Sequence, residues 1–188
     1  VERIQNRRAV KLENGLAPSV IFDPRISGSP TPPAGNDLKL SPSKPGKLPS
    51  SKIDIAFAPV TSLSEWIRTK QISSTALTKL YLRRLKKYAP GLEAVITITE
   101  SLALKQAAQA DAEIAKGRYR GPLHGIPWGA KDLLATKDIR TTWGAGPYKN
   151  DIGKVDAAVV KKLADAGAVL VAKTTLGALA MGDEWFDG

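Results

Sequence analysis

Ala94-Val95-Ile96-Thr97-Ile98-Thr99 is followed by an alanine-rich segment from Ser101 to Lys116. After Gly117 the chain reaches Gly121-Pro122-Leu123-His124-Gly125-Ile126-Pro127-Trp128-Gly129-Ala130-Lys131-Asp132-Leu133-Leu134. The first piece is dense in β-branched residues and predicts a buried strand. In the second, Ala103, Ala107, Ala110 and Ile114 recur at helical spacing. That face is small enough to let a helix sit close to a sheet, and Gly117 supplies a C-terminal glycine. In the third, two Gly/Pro pairings make a rigid loop, and from Trp128 the pattern turns into a strand.

Working outward, Asp156 to Ala166 repeats the scheme, with an Asp cap, apolar Val159, Val160 and Leu163, then Gly167. Ala168 to Ala172 follows as a short continuous apolar strand. Upstream, Ser62-Leu63-Ser64-Glu65 has capping-box spacing and predicts a helix running to about Lys70. Ser73 and Ser74 cap the next helix, whose face is Leu77, Leu80, Tyr81, Leu85 and Tyr88, and Pro90-Gly91 ends it. Helices alternating with fully apolar strands indicate an α/β protein.

Residues 1–52 hold 8 of the 13 prolines. Segments such as Ser29-Pro30-Thr31-Pro32-Pro33 form neither helix nor central strand. This part is expected to be an extended or partly disordered Pro-rich, basic leader, with a short helix before Asn14-Gly15. Residues 53–188 are expected to form the folded part. Val1 rather than Met opens the sequence, so a removed or trimmed upstream segment is expected. The compartment stays open between the cytoplasm and, if a signal peptide was removed, export to the periplasm.

Composition narrows the chemistry. With no cysteine, disulfide frameworks and thiolate zinc sites are excluded, and with one histidine so is a multi-histidine metal site. No apolar run approaches the roughly 20 residues of a membrane span. The net charge of +10 suggests nucleic acid, but the leader carries half of it, with 9 Lys/Arg against 4 Asp/Glu. The remainder sits on helix faces such as Arg83, Arg84, Lys86 and Lys87, without interleaved aromatics, and reads as solvated surface. Gly144-Ala145-Gly146 lacks the third glycine and the strand–helix setting of a dinucleotide loop, and no Walker loop is present. No cofactor is expected.

Lys131 lies within a strand of small and apolar residues, with Asp132 alternating to the other side. Two readings fit that pattern. Burial disfavours an ammonium ion, so a buried lysine turns into a base near neutrality. An edge-strand lysine instead snorkels to water. Spacing does not choose between them.

The Gly121 to Leu134 segment closely resembles the glycine/proline-rich lysine motif of the amidase signature family. Trp128 stands where that family has a small aliphatic residue. Upstream, Ser62 to Glu65, Tyr81-Leu82-Arg83-Arg84-Leu85, Leu92-Glu93-Ala94 and Ala110-Asp111-Ala112 are similar to its opening helices. Downstream, Thr141-Thr142-Trp143-Gly144-Ala145, Asp156 to Val160, Ala166-Gly167-Ala168 and Lys173-Thr174 are similar to its following blocks. Coverage is roughly residues 59–183.

The resemblance implies a partial amidase-signature fold, a central mixed β-sheet flanked by helices on both faces. It implies a triad of lysine, a serine in a cis peptide and a nucleophilic serine, with Lys131 as the catalytic lysine and an acyl-enzyme intermediate. In the family both serines lie downstream of the lysine, whereas the last serine here is Ser101. A fragment, inactive by itself and lacking the rest of its domain, is therefore expected. Met181 and Gly182 are expected to approach the substrate cavity, although alanine replaces the family's frequent glutamate at or near Ala178. His124 is expected to be structural, Lys173 to reach solvent, and Trp128 and Trp143 to pack.

The expected substrate is a small-molecule amide. A homodimer is compatible with the resemblance, and neither nucleic acid nor a membrane span is expected. The alternatives are the glutamine-amidohydrolysing subunit of a tRNA-dependent amidotransferase and a non-catalytic fragment or basic binding module. The leader weighs against the amidotransferase reading, because such subunits begin near the first family helix.

Overall fold

A computed structural model describes residues 45–182 and, within the leader, Gln5, Asn6 and Ala9. Those three leader residues are helical and exposed. The rest of the leader up to residue 44, and residues 183–188, lie outside the described residues, and Lys52, at the leader's expected end, already belongs to a helix.

The folded body runs α1 (Lys52–Ala56), α2 (Val60–Arg68), α3 (Ser74–Leu92), β1 (Val95–Ile98), α4 (Glu100–Ala115), β2 (Pro127–Lys131), α5 (Ala158–Asp165) and β3 (Val169–Thr174). Single 3₁₀ turns occupy Gly146–Tyr148 and Ala178–Ala180. The sheet order is β1-β3-β2. β1 pairs antiparallel with β3, and β2 pairs parallel with it, which makes the sheet mixed as expected. Helices α3 and α4 pack on it.

Helix α3 is anchored at its start from two sides. Ser73 Oγ accepts from Ala76 N at 3.0 Å, as its position predicts. Asp111 of α4 accepts from the amides of Ser74 and Thr75 at 2.7 and 3.0 Å. A carboxylate there satisfies orphan donors and faces the positive end of the helix dipole.

Three helix boundaries differ from the sequence reading. Helix α2 starts two residues before Ser62, with Pro59 as its cap, and Glu65 bonds Arg68 Nε at 2.8 Å instead of closing a capping box. Helix α3 continues through Pro90 to Leu92 and stops at Glu93, which is left-handed at φ 49°. A proline in the final turn removes a single ladder bond, and the Ala94 amide closes the end on Ala89 O at 3.3 Å. Asp156 does not cap α5. Its carboxylate accepts from Lys137 N at 2.7 Å, which leaves Ala157 as the cap.

Two apolar clusters form the core. One joins Ile55, Leu63, Trp66, Ile67, Leu77 and Leu80 with Ile114 and Ile126. The other presses Leu82, Ala103 and Ala107 onto Val169, Val171 and Ala172 of β3. All four small-face residues of α4 are buried, as the spacing requires. Strand β3 is buried through Lys173, whereas β1 is only half-buried. Residues 45–51 also touch the body: Gly46 O accepts from Trp66 Nε1 at 2.9 Å, and Leu48 N donates to Gln71 Oε1.

Candidate active site

Lys131 is the last residue of β2, in register with Thr174 of β3. It is exposed and forms no side-chain hydrogen bond or ion pair among the described residues. It borders an open groove of about 870 Å³, lined also by Pro90, Val95, Ile98, Thr175, Leu176 and Gly177. Gly182 also borders this groove. Met181 does not, and it is 87% exposed.

The buried lysine is Lys173, which corrects the expectation that it reaches solvent, and of the two readings of Lys131 the exposed one holds among the described residues. Among the described residues, strand β2 lies at the edge of the sheet and β3 at its centre, so the central strand's lysine loses water. Lys173 is fully enclosed, and so is Asp132. The ammonium donates to Leu134 O at 2.9 Å and Thr141 Oγ1 at 2.8 Å, with Arg140 O at 3.4 Å. Asp132 Oδ1 lies 3.1 Å from Lys173 Nζ, so charge attraction holds it without a directed hydrogen bond. Asp132 Oδ2 accepts from Thr142 N at 2.8 Å and from Thr142 Oγ1 at 2.6 Å. Burial pushes the Lys173 ammonium below its ordinary range, and Asp132 opposes that shift.

The backbone continues this network. Asp132 N donates to Thr174 O, and Trp143 N donates to Asp132 O. Thr142 Oγ1 in turn accepts from Gly144 N at 3.2 Å. At Gly144, φ is +64° and a Cβ would stand 2.4 Å from Leu176 O, so glycine is what lets this turn approach the groove wall. Leu179 N then donates to Trp143 O at 2.7 Å. Trp143 itself is 41% exposed and is not a packing residue of the core, contrary to expectation.

His124 is buried away from Lys131, between α4 and the turn before β3. Its Nδ1 accepts from Arg120 N at 3.1 Å, which places the imidazole proton on Nε2, 3.4 Å from Glu113 Oε2. Burial lowers its pKa, with Glu113 opposing. Arg120 pairs with Glu113 through Nε at 2.6 Å and through a second, shorter contact at Nη2. That pairing holds the Glu113 carboxyl down to about 2. His124 does not border the groove, and its contacts are structural.

The pairing of Asp132 with Lys173 is the feature that sequence reasoning missed. Its signal was present, since Lys173 interrupts a more continuous apolar run than Lys131 does. No group of His, Asp and Glu side chains suited to a metal ion occurs among the described residues.

The amidase family profile matches residues 76–184, and the chain belongs to the amidase family. It is 45% identical over 123 residues to a component of the glutamyl-tRNA(Gln) amidotransferase of Coxiella burnetii, covering 65% of this chain and 25% of that one. Among solved structures it is similar to the peptide amidase of Stenotrophomonas maltophilia, with 39% identity and a TM-score of 0.60 over 65% of this chain and 25% of that chain. A fatty acid amide hydrolase superposes with a TM-score of 0.63 at 25% identity, over 69% of this chain and 23% of that chain. The chain thus spans about a quarter of the length of these relatives.

Proposed function

We propose that this chain contributes the general base of an enzyme that hydrolyses carboxylic amides, and that Lys131 is that base. The observation that carries the reading is the place of Lys131. It is the one lysine bordering the large groove among the described residues, it ends a strand, and no partner engages its amine. Lys173, the other lysine of the sheet, is spent on Asp132, Thr141 and two carbonyls.

The chemistry follows the Lys–Ser–Ser logic. The amine of Lys131 accepts a proton from one serine hydroxyl as that serine takes the proton of the nucleophilic serine. The nucleophile's oxygen bonds to the amide carbonyl carbon, the C–N bond breaks, and the leaving nitrogen departs with a proton returned along the same path. Water then attacks the acyl-serine and releases a carboxylic acid. Both serines come from polypeptide other than residues 102–188, which contain none. Gly182 belongs to the substrate-facing end of the groove in this reading, supported by its position on the groove wall, whereas Met181 stands outside it.

The test is Lys131→Ala in the protein assembled with its serine-bearing polypeptide. Loss of a general base lowers kcat/KM for an amide by about 10²–10⁴-fold. Unchanged hydrolysis would overturn the assignment. Residues 1–188 alone are expected to form no acyl-enzyme with an amide or ester probe, and a covalent adduct seen by intact mass spectrometry would refute that.

A second reading is supported by the 45% identity to a glutamyl-tRNA(Gln) amidotransferase component. In it, the amide is glutamine and the released ammonia passes to a partner. Glutaminase activity that rises on adding the partner proteins favours this reading. Hydrolysis of other amides without partners favours the stand-alone enzyme.

A further inference from the structure

Resting on the assignment of Lys131 as the base, we propose that the enclosed Lys173–Asp132 pair is a positioning device that sets Lys131 and the groove wall relative to each other. Asp132 directly follows Lys131, so whatever fixes Asp132 fixes the backbone from which the Lys131 side chain leaves. Asp132 is held at three points: its amide on Thr174 O, its carbonyl by Trp143 N, and its carboxylate by both donors of Thr142. Lys173 takes the other side of the same turn through Leu134 O and Thr141 Oγ1.

The grip reaches the groove by a second path. The Thr142–Gly144 turn, closed by the carboxylate, stacks against Leu176 and Gly177 so tightly that a Cβ on Gly144 would meet them at 2.4 and 3.3 Å. Leu176 and Gly177 border the same groove as Lys131. One buried charge pair therefore sits behind both Lys131 and the Leu176–Gly177 part of the groove lining. Neither Lys173 nor Asp132 borders the groove, so they are positioning residues and not catalytic ones.

The experiment separates this role from plain support of the fold. In the active protein, with the serine-bearing polypeptide present, three variants are compared with wild type: Lys131→Ala, the charge-balanced double variant Asp132→Leu/Lys173→Met, and Thr142→Val. The double variant removes both grips without leaving a lone buried charge. Thr142→Val removes only one hydroxyl and is the milder probe should the double variant not fold. Misplacement of a reacting group by a fraction of an ångström to an ångström is expected to lower kcat per folded molecule about 10–100-fold in the double variant, with KM within about threefold. Thr142→Val should lower kcat in the same sense by a smaller factor. If both variants are folded, or Thr142→Val alone is, and kcat equals that of wild type while Lys131→Ala is inactive, the positioning proposal fails and the base assignment stands. If Lys131→Ala keeps full activity, the base assignment itself fails and the positioning role falls with it.

Discussion

The two sheet lysines illustrate how one residue type takes opposite fates on neighbouring strands. Lys173 is surrounded by protein, and its charge is offset by Asp132. Removing one partner of such a pair leaves an uncompensated buried ion, so Lys173→Met alone is expected to destabilise the fold by about 3–5 kcal/mol. Asp132→Leu/Lys173→Met should recover most of that loss, which equilibrium denaturant titration can measure. Lys131→Ala should leave the unfolding midpoint nearly unchanged, since its side chain has no bonding partner among the described residues.

His124 and Glu113 give the acid response its sign. Burial lowers the folded-state pKa of His124 below the ordinary 6.5, so the unfolded chain binds the proton first. The stability from a neutral His124 is complete above that value and drains away as pH falls below it. Glu113, held down to about 2 from 4.5, contributes stability that is lost as pH falls through that interval. Thermal melts from pH 8 to 3 should therefore decline in two stages. Glu113→Gln should flatten the lower one, and an unaltered lower stage would show that Glu113 is not its source.

At the scale of elements, glycine positions make the sharpest expectations. A Cβ on Gly167 would lie 2.4 Å from His124 Cδ2, at a backbone φ of +80°. Gly167→Ala should therefore cost about 1–3 kcal/mol, read as a lowered denaturation midpoint. Gly91 has open space around its Cβ position within the last turn of α3, and Gly91→Ala should raise stability by up to about 1 kcal/mol.

The identities of α2 to α5, the small face of α4 and the apolar β3 were legible because burial imposes a period on the sequence, whereas the short α1 at the leader's end was not foreseen. Boundaries were less so. Asp156 and Glu65 have capping side chains, but each found a competing partner, Lys137 N and Arg68, that no local spacing reveals. The burial of Lys173 was only partly legible, from the apolar run it interrupts, for a related reason. Whether a strand is central or at an edge depends on pairing across the chain, and here β3 enters between two strands that precede it.

At the scale of the whole molecule, both β1 and β2 are edge strands among the described residues, and large apolar side chains such as Ile53, Phe57 and Leu92 are exposed. Unpaired strand edges and apolar surface favour association. Residues 53–188 alone are expected to elute from size exclusion above monomer mass. A monodisperse monomer with a cooperative melt would contradict this. The basic face of α3 is partly engaged by its own neighbours, since the Arg84 guanidinium stacks 4.9 Å from the Phe57 ring and 5.3 Å from that of Tyr88. Its charge therefore reads as surface structure before it reads as a nucleic-acid footprint.

Because Lys131 faces the open groove while Lys173 is sealed behind Asp132, the two amines should differ in susceptibility to reductive methylation. Isotope-coded formaldehyde would tag the first within the folded protein and the second only during transient opening of the sheet. The ratio of the two tags, read peptide by peptide, would then serve as a built-in clock for how often the centre of this molecule breathes.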